Sequence, residues 1–160
     1  MALFLGKLDG VHAGHRHLAA RAMEEADRRG ALAAAVVLHP DPRTVLLGTP
    51  VPLLCSVEER LARLRVFGVD LVEPMLFTPR MAMLDPDGFL ELLGERYRLE
   101  AIVCGPDFRF GRGRIGDARG LDRAAETHGF DCVVVPPIES RGSRVASRGL
   151  RRMIEAGDVE

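Results

Sequence analysis

The chain lacks the features that mark membrane-spanning, secreted and strongly charged proteins. Its longest apolar runs, such as residues 31–38, are far shorter than the roughly 20 apolar residues that a membrane-spanning helix needs. No basic-then-apolar signal peptide opens the sequence. The 22 basic and 23 acidic residues give a formal net charge of −1, which argues against a general binder of nucleic acids or membrane surfaces. We therefore expect a cytoplasmic protein with no nucleic-acid partner and no membrane partner.

Cysteine and lysine are also scarce. Cys55, Cys104 and Cys132 are odd in number, far apart and without a Cys-x-x-Cys spacing, which argues against a disulfide framework and a zinc ribbon. Lys7 is the only lysine among the 22 basic residues, which we attribute to codon bias. The 160 residues, 47% hydrophobic and 28% charged, are expected to form one globular domain over residues 1–160.

Short apolar runs alternate with amphipathic stretches along the whole chain. Runs typical of buried strands lie at residues 2–6, 32–38, 70–76, 100–104 and 131–135. Helical stretches lie at residues 15–29, after the Ser56–Glu59 capping box, after Asp85-Pro86, after Asp117 and after Ser147. This alternation predicts an α/β fold, namely a Rossmann-like doubly wound parallel sheet of about five strands with helices on both faces.

The ends of the predicted strands locate the candidate site. Ligands of doubly wound sheets bind beyond the carboxyl ends of the strands. The segments that leave these ends are residues 6–15, 39–45, 105–116 and 140–151. We expect the four segments to converge on one crevice.

Residues 6–15 carry the strongest chemical signal. A helix that begins after a glycine-containing turn binds anions through its free N–H groups and its dipole. Gly14 allows a phosphate to approach the backbone, and His12 and His15, three residues apart, can both face that phosphate. The alternative is an exposed helix start with inactive histidines. A metal site that adds His17 is less favoured, because His17 lies on another helix face, and we predict no metal site.

The start of the last helix can also bind phosphate. Ser147 can cap this helix, and Arg148 and Arg151, three residues apart, can both reach phosphate oxygens. Taken alone, such a segment more often forms a solvated basic helix end. It gains weight because it would face His12 and His15 across the crevice.

Residues 105–116 combine glycines, the flat rings of Phe108 and Phe110, and three arginines. This composition suits a planar ring with phosphates better than RNA, because RNA-binding tracts of this kind are usually longer and lie in basic proteins. The alternative is a hairpin-like loop whose phenylalanine side chains lie in the core.

These motifs together resemble the FMN adenylyltransferase (FAD synthetase) module of bacterial bifunctional riboflavin kinase/FAD synthetases, in the HxGH nucleotidylyltransferase superfamily. The resemblance runs along essentially the whole chain. It includes GKLDGVHAGH at 6–15, HPDPRTVL at 39–46, the stretch 56–70, VCGPDFRFGRG at 103–113, VVPP at 134–137 and the closing helix. Several motifs in the same order are far more specific than any single one.

The resemblance implies transfer of AMP from ATP to the phosphate of FMN, with release of pyrophosphate and assistance by Mg²⁺. It implies catalytic roles for His12, His15 and Arg151. The nucleotide-binding residues would be Gly6, Asp9, Gly14, Gly105, Asp107, Ser147 and Arg148. The acceptor-binding residues would be Pro42, Phe108, Arg109, Phe110 and Gly111. Because the FMN phosphate is itself a nucleophile, the protein needs only to align the reactants and to offset charge.

Three departures from the family pattern lie at the expected site. Lys7-Leu8 stands where the family usually has Asn-Phe, and Asp41 stands where it has His within Thr-Phe-x-Pro-His-Pro. The family's Ser-Ser-Thr-Arg is replaced by residues 146–149. These changes leave two alternatives open: the same chemistry with CTP or another phosphate or phosphonate acceptor, and a non-catalytic nucleotide- or flavin-binding module. The resemblance also predicts no riboflavin kinase domain within the chain.

Overall fold

Five parallel strands form the central sheet. The computed structural model describes residues 1–140, 143–144 and 147–157, and it describes only the backbone of residues 139, 140, 143, 144 and 148. The strands of the described residues are β1 (Ala2–Gly6), β2 (Ala33–His39), β3 (Leu71–Leu76), β4 (Ala101–Cys104), β5 (Arg109–Phe110), β6 (Gly116–Asp117), β7 (Asp131–Val134), β8 (Glu139–Ser140) and β9 (Ser143–Arg144). The main sheet has the order β3-β2-β1-β4-β7, whereas β5 pairs with β6 and β8 with β9 in antiparallel ladders.

Helices connect the parallel strands. The α-helices of the described residues are α1 (Ala13–Arg29), α2 (Pro42–Leu47), α3 (Val57–Phe67), α4 (Pro79–Ala82), α5 (Pro86–Arg96), α6 (Ala118–His128) and α7 (Ser147–Ala156). The predicted capping box is present, since Ser56 accepts a hydrogen bond from the backbone N–H of Glu59 and the Glu59 carboxylate accepts one from Ser56. Asp85 and Asp117 cap α5 and α6 as expected. None of the described helices is long and apolar enough to cross a membrane.

Both faces of the sheet are covered. Alternate side chains of a strand point to opposite faces, and along β1 Phe4 packs with the face that carries α1 and α3, whereas Leu3 and Leu5 pack with the face that carries α5 and α6. The short helices α2 and α4 were not predicted; each begins at a proline that follows a capping Asp41 or Thr78. The prediction of a Rossmann-like doubly wound sheet is confirmed, and the prediction of a single domain without riboflavin kinase stays a prediction.

Candidate functional site

The loop of residues 7–12, between β1 and α1, has an unusual backbone. Leu8 and Val11 adopt φ angles of 46° and 43°, a region that branched side chains rarely occupy. Both side chains are buried, so core packing holds them in this conformation. Gly10 has a φ of 83°, and a Cβ atom added there would lie 2.8 Å from Cδ1 of Leu54. The loop therefore has one shape, fixed by its neighbours, before any ligand binds.

Asp9 ties this loop to two distant parts of the chain. Its fully buried carboxylate accepts a hydrogen bond from the Leu54 backbone N–H at 2.8 Å and one from Arg151 Nη2 at 2.6 Å. The Ser147 hydroxyl donates to the Asp9 carbonyl at 3.1 Å. Each carboxylate oxygen accepts one of these hydrogen bonds and keeps a further acceptor site, so the prediction that Asp9 contacts the nucleotide stays a prediction. The same carboxylate holds the Arg151 side chain in place.

His12 and His15 stack at the start of α1. Their ring centroids are 3.7 Å apart with an interplanar angle of 20°. His12 is the N-cap residue and makes no side-chain capping hydrogen bond, and the His15 N–H donates to the His12 carbonyl at 2.9 Å. The N–H groups of Ala13 and Gly14 remain available to an anion. Within the described part of the chain, the buried Nδ1 atoms of both histidines have no hydrogen-bond partner. The site thus combines backbone and imidazole groups that a phosphate can satisfy.

Burial keeps both imidazoles neutral. Burial, with a smaller contribution from the neighbouring His12, lowers the pKa of His15 to about 3. Burial also lowers the pKa of His12, while Asp9 acts in the opposite direction. A neutral imidazole donates one hydrogen bond and accepts another. The pair therefore supplies hydrogen bonds near pH 7 without supplying charge.

Three charged residues with no binding or catalytic role predicted from the sequence, namely Lys7, Asp41 and Arg43, lie beside the site. Asp41 is buried and accepts hydrogen bonds from Arg43, at 2.9 Å from the backbone N and at 3.2 Å from both Nε and Nη2. Lys7 Nζ lies 3.8 Å from Asp41 Oδ2. The signal that could have revealed this contact was that two departures from the family pattern, at positions 7 and 41, introduce opposite charges.

Other predicted site residues lie at the edge of the sheet formed by the carboxyl ends of the strands. Gly6 ends β1, Gly14 is the second residue of α1, and Pro42 is the first residue of α2. Ser147 begins α7, whose Arg151 reaches Asp9. The side chain of Arg148 lies outside the described residues.

The loop of residues 105–111 packs partly into the core. Phe110 is buried beside Phe89, with ring centroids 5.9 Å apart, and it stacks on the partly buried Phe108 at 5.5 Å. This placement favours the hairpin-like alternative for Phe110, and the contact of this residue with the acceptor stays a prediction.

Other members of the same loop remain at its surface or fix its course. Arg109 is exposed and donates to the Phe108 carbonyl at 2.9 Å, and Asp107 is exposed as well. Gly105 accepts a hydrogen bond from the Phe108 N–H, which closes a turn directly after β4. A Cβ atom at Gly111 would lie 2.8 Å from the backbone N of Pro86, so this glycine allows the loop to dock on α5.

No group of three or more His, Cys, Asp or Glu residues suited to a metal ion occurs in the parts of the chain that the structure describes. Asp9 and Asp41 are already engaged by Arg151 and Arg43. A divalent cation at this site would therefore be held mainly by the phosphates that it accompanies.

Comparisons with known proteins agree with this arrangement. The family model for FAD synthetase matches residues 1–149. The chain is 33% identical over 154 residues to the bifunctional riboflavin kinase/FMN adenylyltransferase of Escherichia coli strain K12, covering 95% of this chain and 49% of the relative. The protein of the same name from Pseudomonas fluorescens is 30% identical over 98% of this chain and 50% of the relative. The chain thus spans about half the length of these relatives.

A solved structure supports the fold. The crystal structure of a protein described as a macrolide-efflux protein from Streptococcus pneumoniae matches with a TM-score of 0.84 and 24% identity, covering 98% of this chain and 52% of that chain. At that identity the likeness bears on the fold alone. The family match spans nearly all of the described residues, including the loop of residues 7–12 and the histidine pair, and the chain belongs to the FAD synthetase family.

Proposed function

We propose that this chain transfers AMP from ATP to the phosphate of FMN, giving FAD and pyrophosphate. The observation that carries the proposal is the pair of neutral, stacked imidazoles at the start of α1, within electrostatic range of Asp9, which itself binds Arg151. Relatives that share this segment are named for FMN adenylyltransferase activity. In the reaction a phosphate oxygen of FMN forms a bond to the α-phosphorus of ATP. The bond between the α-phosphorus and the oxygen that bridges the α- and β-phosphates breaks, and this oxygen leaves with pyrophosphate.

Each element of the site has a role in this displacement. The backbone at Gly14 and the N–H groups of the first turn of α1 would cradle the ATP phosphates. His12 and His15 would donate hydrogen bonds to charge that builds up on the α-phosphate and on the leaving pyrophosphate. Arg151, fixed on one side by Asp9, has a buried Nε atom without a partner in the described residues. It would supply fixed positive charge to the same phosphates.

The acceptor would lie between the other loops of this edge. Gly6, Gly105, Asp107 and Ser147 would border the nucleotide, and the nucleotide-binding role predicted for Arg148 concerns a side chain outside the described residues. Pro42 at the start of α2, with Phe108, Arg109 and Gly111 in the loop after β4, would border the flavin. Phe110, which is buried, would support this loop from the core.

Magnesium would enter with ATP. Mg²⁺ usually keeps several waters and binds through substrate phosphates with one or two carboxylates. Because arginines hold Asp9 and Asp41, the triphosphate itself would carry most of the coordination. We therefore treat the substrate as MgATP and assign the metal no resident ligand set.

The direct test mixes the purified protein with MgATP and FMN and follows FAD by chromatography and pyrophosphate by a coupled assay. We expect both products in equal amounts. GTP, CTP and UTP in place of ATP, and other phosphate monoesters in place of FMN, test the choice of substrates. Pyrophosphate formed with CTP but not with ATP would contradict the proposed nucleotide. Nucleotide binding without pyrophosphate from any pair would contradict catalysis.

A further inference from the structure

Lys7 has a fixed backbone and a partly exposed side chain next to the proposed phosphate site. It directly follows β1, and its carbonyl accepts a hydrogen bond at 2.6 Å from Arg60 Nη1, whose side chain is fully buried. The backbone of Lys7 is thus fixed by the core. Its side chain is about one third exposed, at 33% of the full accessible area. A fixed backbone position that carries an ammonium group on a flexible, partly exposed side chain suits a charged contact to a small ligand.

The ammonium group of Lys7 is only loosely paired. Its distance of 3.8 Å to Asp41 Oδ2 is an ion pair but exceeds hydrogen-bond length. Arg43 occupies the same carboxylate through three closer contacts, so Asp41 does not depend on Lys7 for its hydrogen bonds. Among the residues that the structure describes, the Lys7 ammonium group donates no hydrogen bond. Lys7 can therefore leave Asp41 without exposing an unpaired buried carboxylate.

Lys7 also lies within electrostatic range of the proposed catalytic groups. Its charge is one of the influences that lower the pKa of His12 and of His15, after burial in both cases. Arg151 and Asp9 in turn act on Lys7. The histidines are neutral, and Arg151 is already bound to Asp9. Of these groups, Lys7 is the cation whose charge is least compensated.

We propose that Lys7 moves from Asp41 to bind a phosphate oxyanion of a substrate and so supplies charge that the neutral histidines lack. This inference rests on the proposed function, because the phosphates concerned are those of ATP and FMN. Both sources present the same chemistry, a negatively charged phosphate oxygen, and the experiment below distinguishes them.

Because Lys7 is the only lysine, amine chemistry can report on it in the unmodified protein. Reductive methylation with isotope-labelled formaldehyde, followed by peptide mass spectrometry, measures labelling of Lys7 and of the Met1 amine separately. A non-hydrolysable ATP analogue or FMN, each added alone, should slow labelling of Lys7 at least several-fold, and the protecting ligand identifies the phosphate. Labelling of Met1, which donates to the Arg98 carbonyl, should not change.

Absence of protection by either ligand would overturn the proposal. So would failure of Lys7 to become labelled at all, because an amine that formaldehyde cannot reach cannot contact a phosphate.

Variants give a second readout. Lys7→Gln should lower kcat/KM for FAD formation about 10²-fold, similar to the loss of one donor that stabilises an oxyanion, whereas Lys7→Arg should retain most activity. Arg119→Gln removes an equal charge from the exposed surface of α6 and should keep wild-type kinetics. An active wild type with an equally active Lys7→Gln would overturn this inference and leave the proposed function intact. An inactive wild type that still shows protection of Lys7 would overturn the proposed function alone.

Discussion

Two stacked imidazoles repel each other if both are protonated to the positively charged imidazolium form. His12 and His15 avoid this because burial keeps both neutral near pH 7, even with ring centroids 3.7 Å apart. At the scale of single residues, the site therefore separates two tasks. In the proposed mechanism the histidines would provide hydrogen bonds with fixed direction, and Lys7 and Arg151 would provide positive charge. Such a division suits phosphoryl transfer, which needs positioning and charge stabilisation rather than a strong base.

Replacing His15 with alanine is expected to lower the kcat of FAD formation about 10²–10³-fold, with little change in the KM for ATP. The physical reason is that a preorganised donor acts mainly on charge that develops in the transition state. Steady-state kinetics with MgATP and FMN measures both constants. His17→Ala, elsewhere on α1, is the matched control and should keep the wild-type kcat. A rise in KM alone would make His15 a ground-state binding residue.

The lowered pKa of His15 also predicts how the stability of the protein depends on pH. The unfolded imidazole takes up its proton near pH 6.5, whereas burial and His12 lower the pKa in the folded protein to about 3. Between these values the unfolded state binds more protons. The free energy of unfolding therefore falls as the pH falls through this window, by up to about 1.4 kcal/mol per pH unit from this group.

Urea denaturation across the window, for the wild type and for His15→Asn, measures this contribution. The variant should show the shallower decline, since it lacks the titrating group. Parallel declines in the two proteins would mean that His15 is protonated in the folded protein near its ordinary pKa.

At the scale of elements, the loop of residues 7–12 stores strain that the surrounding structure compensates. Each residue held at positive φ without being glycine costs about 1–3 kcal/mol. Burial of Leu8 and Val11 and the hydrogen bond from Arg60 to the Lys7 carbonyl offset this cost. The loop can then hold the start of α1 in place before a substrate arrives, which is the geometric condition for preorganised catalysis.

Gly10→Ala should destabilise the protein by about 1–3 kcal/mol and reduce activity. The new methyl group would meet Leu54 at 2.8 Å, and the φ of 83° disfavours any side chain. Gly94→Ala is the matched control, because in helix α5 its Cβ would meet no atom within 4 Å; it should stabilise the protein by about 0.5–1 kcal/mol. Denaturant titration of both variants checks the pair. Equal denaturation midpoints for Gly10→Ala and Gly94→Ala would show that the loop tolerates a side chain at position 10.

Local patterns predicted most of the elements because each depends on neighbouring residues. The strands at 2–6 and 131–134, the capping box at Ser56 and the cap at Asp117 all follow from spacings of a few residues. The role of Asp9 could not be read in this way. Its partners Leu54 and Arg151 lie 45 and 142 residues away, and their contact depends on how the whole chain folds.

The sequence left the position of Phe110 open between two alternatives and did not reveal the contact between Lys7 and Asp41, for the same reason. The sequence pattern shows that Phe110 is flat and apolar but not which of two apolar surroundings it enters. The opposite charges at positions 7 and 41 were visible, but their pairing depends on β1 and β2 lying side by side in the sheet. Long-range contacts of this kind are what the folded structure adds.

At the scale of the whole molecule, the site is assembled from segments far apart in sequence. The loop after β1, the Leu54 segment and α7 meet at the Asp9 carboxylate and carbonyl. Asp9→Asn replaces one carboxylate oxygen by an amide NH₂ group and should therefore affect α7, which is far from Asp9 in sequence. Arg151, whose side chain is only 17% exposed, would lose its ionic partner, at a cost of about 1.5–3 kcal/mol for a hydrogen bond between charged groups.

We expect Asp9→Asn to loosen α7 while leaving the sheet intact. Hydrogen exchange followed by mass spectrometry should show faster exchange in peptides of residues 147–157 and unchanged exchange in β1 and β2. FAD formation should fall with it, because Arg151 would no longer be held toward the phosphates. Glu155→Gln removes an exposed acidic group from the same helix and should leave exchange and activity unchanged. If α7 exchanges at the wild-type rate in Asp9→Asn, other contacts dock the helix and Asp9 does not position Arg151.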